Sequence, residues 1–340
     1  MLRLPKPKMA DVAARAGVSL ATVSRALSNP GMVRPETLTR IREVISEMGY
    51  VPDGAARTLV SKRTHTVGVV VPTLDHAIFA RALQTMQTSL AEAGYQLLVA
   101  SNEYSPMVEA SAVRAMLERR VDAIVLVGTD HSQEVWSLIE GIAQPVILTW
   151  SLHPTLDCIG FDNEAAGRMA AEHLLALGHR RFGVVSGFLR HNDRARARLA
   201  GIRGALAHAG LELPAANVSE QHFGIAGGRA GMAQLLTLGK PPTAVIGGND
   251  VLAIGAMIEA QARGLRVPAD LSLVGMDDVE LAAHVTPGLT TIHLPTAELG
   301  RRTARHVLRR LAGEEGAARI ELPIELVQRA SDAANMSKAG

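Results

Sequence analysis

From about residue 66 onward, short apolar runs alternate with segments of helical periodicity, and this alternation constrains the fold more than any other feature. The apolar runs cover residues 67–71, 96–100, 123–127, 146–149, 182–186, 244–247 and 271–275. The helical patterns between them include residues 77–93, 164–177, 198–209 and 251–263. Near-continuous β-branched runs with helices between them are typical of parallel sheets covered by helices on both faces. We therefore predict an α/β fold with doubly wound parallel sheets, in which residues 178–181 lead into a second lobe.

The alternation does not select a function, because a dehydrogenase, a sugar kinase and a periplasmic-type binding protein all fit it. The sequence contains no dinucleotide-binding, P-loop, nucleophile-elbow or HExxH zinc motif. Its single cysteine, Cys158, excludes a disulfide framework and a cysteine-based zinc cluster, and its apolar neighbours predict a buried side chain. The twelve histidines are scattered. We therefore expect no catalytic residue, no metal and no cofactor.

Charge is distributed unevenly along the chain. The formal net charge is +2 overall, but residues 1–63 contain eleven basic and five acidic side chains, which gives +6 there and −4 in the remainder. A basic head on a mildly acidic body indicates a module that binds a polyanion such as nucleic acid; an ordinary solvated surface is the alternative. The chain has no apolar run of about 18 residues and no apolar segment after its basic start. We therefore expect a cytoplasmic protein without membrane contact.

Residues 9–27 have the pattern of two short helices joined by a tight turn. The first helix, over residues 9–16, ends at Gly17, and Ser19 can cap a second helix over residues 20–27. This spacing predicts a helix-turn-helix whose second helix enters the major groove, where Arg25 can pair with guanine. The predicted DNA contacts are Ser19, Leu20, Ala21, Thr22, Ser24 and Arg25. Two ordinary amphipathic helices are the alternative.

A third helix is predicted to begin at Pro35. Its apolar stripe should pack against the second helix, over residues 20–27, which we call the reading helix. Beyond it, Asp53 can cap a helix of about two turns, which is too short to be stable alone. This segment is either a helix that forms on packing or a flexible linker.

Several motifs in register resemble those of the LacI/GalR transcription regulators. The head shows the resemblance in residues 9–27 and in Gly49-Tyr50-Val51-Pro52. The body shows it in Gly160-Phe161-Asp162-Asn163, in Gly247-Gly248-Asn249-Asp250, in residues 272–278 and in residues 287–292. The match spans roughly residues 9–329. It implies two lobes of periplasmic-binding-protein type that hold a small molecule between them.

The resemblance also implies an extended DNA interface. The segment after Pro52 becomes a hinge helix that folds when a dimer meets its operator, with Leu59 wedged into the minor groove and Ala56 packed beside it. Tyr50 is assigned to the same interface. Asp53 and Arg34 depart from the family pattern, which often has asparagine and a serine or threonine cap at these positions. The implied domains are the DNA-binding head (1–52), the hinge (53–64), the effector-binding and dimerisation domain (65–330) and a polar tail (331–340).

The effector site is implied position by position. Arg198 matches the family arginine, Asp277 its acceptor and Asn249 a polar residue on a third loop, although loop capping is the alternative for Asp277 and Asn249. The apolar wall is assigned to Ile78, Phe79 and Trp150. Guanidinium donors, carboxylate acceptors and aromatic faces suit polyhydroxy ligands.

In residues 190–198, where we expect a loop to turn into a helix, three arginines alternate at positions 194, 196 and 198. Because helix N-termini favour anions, we assign Arg194 to the effector site and predict an anionic effector, such as gluconate or a sugar phosphate. Residues 160–163 look nearest to the gluconate-repressor branch. A solvated arginine face is the alternative.

The expected protein is therefore a homodimeric repressor, not an enzyme. It binds a pseudo-palindromic operator in duplex DNA and responds to a small-molecule carbohydrate or sugar-acid effector. An effector-activated or corepressor-type regulator is one alternative, and a sugar-binding protein without DNA function is another. The segment after Val327 is short, polar and without leucine heptads, so it shows no device for assembling tetramers from dimers.

Overall fold

The computed structural model describes residues 7–51 and 63–335. The chain divides into an N-terminal unit (residues 1–66 with 120–122) and a C-terminal unit (residues 67–119 with 123–340). The predicted hinge residues Ala56 and Leu59 lie outside the described residues. None of the helices in the described part of the chain is long and apolar enough to cross a membrane.

The N-terminal unit contains the helices α1 (Met9–Ala16), α2 (Leu20–Ser28) and α3 (Pro35–Met48), with a 3-10 turn at Pro30–Met32. Gly17 ends α1 with φ +65°, a conformation that only glycine adopts without steric cost. Ser19 caps α2 by accepting a hydrogen bond from the amide of Thr22. The core of this unit contains Val12, Ala13, Ala16, Val23, Ala26, Ile41, Val44 and Tyr50. The three predicted helices are confirmed.

The first sheet of the C-terminal unit is formed by β1 (Thr66–Val71), β2 (Gln96–Ser101), β3 (Ala123–Val127), β4 (Val146–Trp150), β5 (Cys158–Gly160) and β11 (Arg319–Glu321). Its strand order is β11-β5-β4-β3-β1-β2, and β1, β3, β4, β5 and β11 pair in parallel. The helices α4 (Ala77–Glu92), α5 (Pro106–Glu118), α6 (Gln133–Ile139) and α12 (Thr296–Leu311) accompany it. We call this part of the unit the first lobe.

The second sheet is formed by β6 (Phe182–Gly187), β7 (Val218–Gln221), β8 (Ala244–Gly247), β9 (Ser272–Asp277), β10 (Thr290–His293) and β12 (Glu325–Val327). Its strand order is β12-β10-β9-β8-β6-β7, with β12 antiparallel and the other pairs parallel. The helices α7 (Asn163–Ala176), α8 (Asp193–His208), α9 (Ile225–Leu235), α10 (Asp250–Ala262) and α11 (Glu280–His284) complete the second lobe. The predicted two-lobed α/β architecture is confirmed.

The chain passes between the two sheets three times, at residues 161–162, 294–295 and 322–324. Sequence analysis identified only the step into the second lobe near residues 178–181. The return to the first sheet and the last crossing were missed because the short strands β11 and β12 have no long apolar run.

Two predicted boundaries are wrong. Helix α8 begins at Asp193 and not at residue 198, because Asn192 caps it and the first turns carry arginines in place of an apolar stripe. The segment from residue 331 is not a free polar tail up to residue 335. Ser331 is fully buried and donates to the carbonyl of Leu273 at 2.6 Å, and Asp332 accepts from His173 at 2.7 Å.

Candidate functional site

A cavity lies between the two lobes at the carboxyl ends of the strands. Parallel α/β sheets bind their ligands at this end. All of the effector-site residues predicted from the sequence line this cavity: Ile78, Phe79, Trp150, Arg194, Arg198, Asn249 and Asp277. The fold therefore brings together residues that are up to 199 positions apart in the chain.

Arg198 is held rigidly in the second turn of α8. Its Nε donates to Asn163 Oδ1 at 3.1 Å, and one terminal nitrogen donates to the carbonyl of Gly248 at 2.7 Å. The same nitrogen lies 3.6 Å from Asp277 Oδ1. Asn163 in turn donates to the carbonyl of Trp150 at 2.8 Å. The guanidinium group is thus fixed in orientation before any ligand binds.

Asp277 ends β9 with φ +119°, in a region that residues other than glycine rarely adopt. Its Oδ1 atom is buried and accepts no hydrogen bond from any of the described residues. Burial raises the pKa of the Asp277 carboxyl to about 7, an effect that Arg198 opposes and the carboxyl group of Asp250 reinforces. Near neutral pH this side chain can therefore either donate or accept a hydrogen bond.

Aromatic rings form the apolar wall. The rings of Phe79 and Trp150 lie 5.0 Å apart, and Trp150 is 2% exposed. Its indole Nε1 is buried and donates to none of the described residues. Tyr104 from the first lobe stacks on Phe223 from the second, with ring centroids 5.4 Å apart. The cavity thus combines stacking faces with polar atoms that have no hydrogen-bond partner among the described residues.

Asn249 caps α10 by accepting from the amide of Leu252 at 2.9 Å, and it also lines the cavity. The capping interaction that was the alternative for this residue is therefore present. Arg194 donates to Asp193 Oδ1 at 2.7 Å, so its charge is compensated within the protein. Arg198 is then the main source of positive charge that a ligand can meet.

In the N-terminal unit, the predicted reading face lies on α2. Ser19, Ala21 and Arg25 are exposed, and so is 52% of the apolar Leu20. Thr22 and Ser24 are half-buried, and the hydroxyl groups of Ser19 and Thr22 are 2.8 Å apart. An exposed leucine between hydroxyl groups and an arginine is the kind of surface that contacts base edges and phosphates.

Comparison with known families gives two matches. Residues 8–53 match the model of bacterial regulatory proteins of the lacI family, and residues 171–331 match a periplasmic binding protein-like domain. The chain is 32% identical over 332 residues to the HTH-type transcriptional regulator DegA of Bacillus subtilis, covering 96% of this chain and 98% of that protein. The chain belongs to the LacI family.

Other LacI-family proteins are similarly close. The HTH-type transcriptional regulator GntR of Pseudomonas aeruginosa is 33% identical over 330 residues, covering 96% of both chains. A crystal structure of the Lac repressor dimer bound to operator and the anti-inducer ONPF has a TM-score of 0.87 and 28% identity, covering 97% of this chain and 100% of that one. Since these relatives are transcriptional regulators, the predictions of a DNA-binding regulator and of a chain that is not an enzyme are confirmed.

One residue of the predicted DNA interface, Tyr50, differs in its burial from the exposed Ser19, Leu20 and Arg25. Tyr50 is only 8% exposed and belongs to the core of the N-terminal unit, together with Val12 and Ile41. Its ring is therefore a packing element of the head. The tyrosine follows the glycine that ends α3, and the chain turns back there onto the apolar stripe of that helix.

Sequence analysis missed several residues of the cavity wall: His76, Tyr104, Ser186, Asn192 and Phe223. The scarcity of aromatic residues was a usable signal, because the chain has only ten and four of them line this one cavity. Within residues 7–51 and 63–335, no group of three or more His, Cys, Asp or Glu side chains is placed to hold a metal ion.

Proposed function

We propose that this LacI-family chain is a homodimeric, cytoplasmic repressor that binds a pseudo-palindromic operator through α2 and is controlled by a small anionic carbohydrate in the cavity between its lobes. The observation that supports the effector assignment is the buried Asp277 Oδ1, which accepts no hydrogen bond within residues 7–51 and 63–335 although Arg198 lies 3.6 Å away. A buried acceptor without a donor costs about 1–3 kcal/mol. A ligand hydroxyl group that donates to this oxygen removes that cost.

The charge balance of the cavity supports an acid rather than a neutral sugar. Arg194 is paired with Asp193, whereas Arg198 faces a carboxyl group whose pKa is raised to about 7. The cavity is therefore partly positive at neutral pH, which suits one carboxylate or phosphate group on the ligand. The aromatic wall of Phe79 and Trp150 suits the C–H face of a sugar chain.

The effector proposal is tested by titrating the purified protein calorimetrically with D-gluconate, D-glucose, D-ribose and adenine at one ionic strength. We expect gluconate to bind at least about tenfold more tightly than the neutral ligands, since a charged hydrogen bond contributes about 1.5–3 kcal/mol. Tight binding of ribose or adenine without binding of gluconate would refute the anionic class. It would leave the DNA-binding function standing.

The DNA half of the proposal rests on the exposed face of α2 and on the excess of positive charge in residues 1–63. The hinge over residues 53–64, with Leu59 as the minor-groove wedge and Ala56 beside it, is part of the same proposal. Selection of bound sequences from a random duplex library should return a pseudo-palindrome, and its affinity should fall steeply with rising salt. If added gluconate strengthens operator binding, the protein is a corepressor-type regulator and the repressor-release scheme is wrong.

A further inference from the structure

Asp193 is the first residue of α8, in the second lobe, but its carboxylate is bound by the first lobe. Its Oδ2 atom accepts from the backbone amide of Thr129 and from the Thr129 hydroxyl, both at 2.9 Å, and from Ser151 Oγ at 2.6 Å. Thr129 follows β3 and Ser151 follows β4. Three hydrogen bonds from one lobe thus converge on one oxygen atom of the other, beside the cavity.

The second oxygen atom of the same carboxylate is also satisfied, because Oδ1 accepts from Arg194 at 2.7 Å. Burial by itself would raise the pKa of Asp193. The positive charge of Arg194 and the hydrogen bonds from Ser151 and Thr129 outweigh burial, and the pKa lies below its ordinary value. The bond between the lobes is therefore made by an ionised carboxylate, and such charge-assisted bonds are stronger than neutral ones.

The first lobe is shaped to admit this side chain. At Gly128, which has φ +89°, a Cβ atom would lie 2.2 Å from a terminal nitrogen of Arg194 and 2.6 Å from Asp193 Oδ1. Any residue other than glycine at position 128 would block the close approach of the Asp193 carboxylate and the Arg194 guanidinium group to the end of β3.

An exposed ion pair between the lobes provides a comparison for the hydrogen bonds of Asp193. Arg196, also on α8, lies 2.7 Å from Asp130, but their side chains are 47% and 30% exposed. Exposed pairs of this kind contribute little because water screens them. The Asp193 side chain is 15% exposed and has four hydrogen bonds, so it holds the lobes more strongly.

We propose that Asp193 is a latch that keeps the two lobes closed and thereby sets the affinity for the effector; the affinity part rests on the proposed function of the cavity. The latch uses protein groups only, so it favours the closed lobes independently of the ligand. If a ligand binds only the closed form, its apparent affinity is the intrinsic affinity multiplied by the fraction of molecules that are closed. Removing the latch therefore weakens effector binding without altering a wall residue.

The latch is tested first without any ligand, by hydrogen exchange at the amide of Thr129 in full-length protein. Asp193→Asn keeps the size of the side chain but removes its charge, and Thr129→Val removes one donor. We expect exchange in the peptide that contains residues 128–132 to accelerate at least about tenfold in Asp193→Asn. Thr129→Ser, which keeps the hydroxyl group, and Asp130→Asn, which removes only the exposed pair, should exchange as the wild type does.

The second measurement is a calorimetric titration with gluconate. We expect its affinity to fall at least about tenfold in Thr129→Val and less than about twofold in Thr129→Ser and Asp130→Asn. Asp193→Asn is left out of this measurement, because it would also free the positive charge of Arg194 in the cavity wall. Wild-type exchange in Asp193→Asn would overturn the latch. Faster exchange with unchanged gluconate affinity would overturn its control of binding.

If exchange accelerates but gluconate binds to none of the proteins, the latch stands and the proposed effector is wrong. If Asp193→Asn does not fold, Ser151→Ala removes one donor from the first lobe without touching α8. It should then show an intermediate increase in exchange.

Discussion

The two regions proposed for recognition, the exposed face of α2 and the cavity between the lobes, are built in opposite ways. The predicted reading face of α2 consists of six residues within the short stretch 19–25, four of them exposed, and Ser19 both caps the helix and belongs to the face. The cavity gathers residues from position 76 to position 277, and its polar side chains Arg198, Asn249 and Asp277 are buried. Local rules therefore specify the first region, whereas long-range packing specifies the second. Substitutions should separate the two.

The largest effect is expected in the cavity, from Arg198→Met. This change leaves Asp277 and Asn163 without their guanidinium partner, and breaking a buried pair costs about 3–5 kcal/mol. Effector affinity should fall more than about 100-fold in a calorimetric titration, while binding to operator DNA in a gel shift should persist. Arg203→Met, on the exposed face of the same helix, is the matched control. Equal affinity in Arg198→Met would show that the ligand binds elsewhere.

On the reading face, Arg25→Ala should weaken operator binding by about 1–3 kcal/mol, since one bidentate pair with a base is lost. Effector affinity should not change. Arg15→Ala, which removes an exposed arginine that pairs with Glu47 on the same unit, is the control. A salt titration distinguishes the causes, because loss of a phosphate contact would also lower the salt dependence.

Leu59→Ala probes the hinge that the resemblance to LacI/GalR regulators implies. Operator affinity should fall because the wedge that kinks the duplex is lost, and the DNA bend measured by energy transfer between end labels should decrease. Effector affinity should stay the same. Unchanged operator binding and an unchanged bend would refute the wedge.

The pH dependence of the cavity follows from Asp277. Its carboxyl group has a pKa raised to about 7, and that of its neighbour Asp250 is raised to about 6. An anionic effector meets a neutral Asp277 below pH 7 and a negative one above it, so affinity should fall as pH rises from 6 to 8. A bound anion raises the pKa of Asp277 further. For each pKa unit of that increase, the effector affinity falls about tenfold between low and high pH.

The same groups affect stability, with a definite sign. The folded state binds more protons than the unfolded state between the ordinary carboxyl pKa and the raised values, so their contribution to the free energy of unfolding decreases as pH rises from about 4 to 7. Asp277→Asn should reduce this slope in urea titrations and remove the pH dependence of gluconate binding. A binding curve that is flat in the wild type would show that Asp277 does not titrate near neutral pH.

The smallest effect is expected from the two helix caps. Ser19→Ala should destabilise the N-terminal unit by about 1 kcal/mol, the usual contribution of such a cap. Asn249→Ala removes the corresponding cap of α10, but there the side chain is buried, so an unsatisfied amide adds to the loss. Thermal unfolding should therefore show the larger shift for Asn249→Ala.

Much of the fold could be predicted because its signals are local. The turn glycine, the serine cap and Pro35 marked the three helices of the head, and the apolar runs marked the longer strands. Asp193 was passed over because a single aspartate among arginines looks like an ordinary charge on a solvated helix. Only its position opposite Gly128, 65 residues earlier in the chain, gives it a partner.

The sequence by itself determined the two-part organisation, the helix-turn-helix and the alternation that forces parallel sheets, since these depend on backbone preferences and on side-chain periodicity. Tertiary structure alone decided that Tyr50 packs inside the head, that residues 331–333 complete the second lobe and that Asp193 joins the lobes. Burial and pairing depend on which distant segments meet. Consequently, the same aspartate or tyrosine can be a surface group, a core group or a latch.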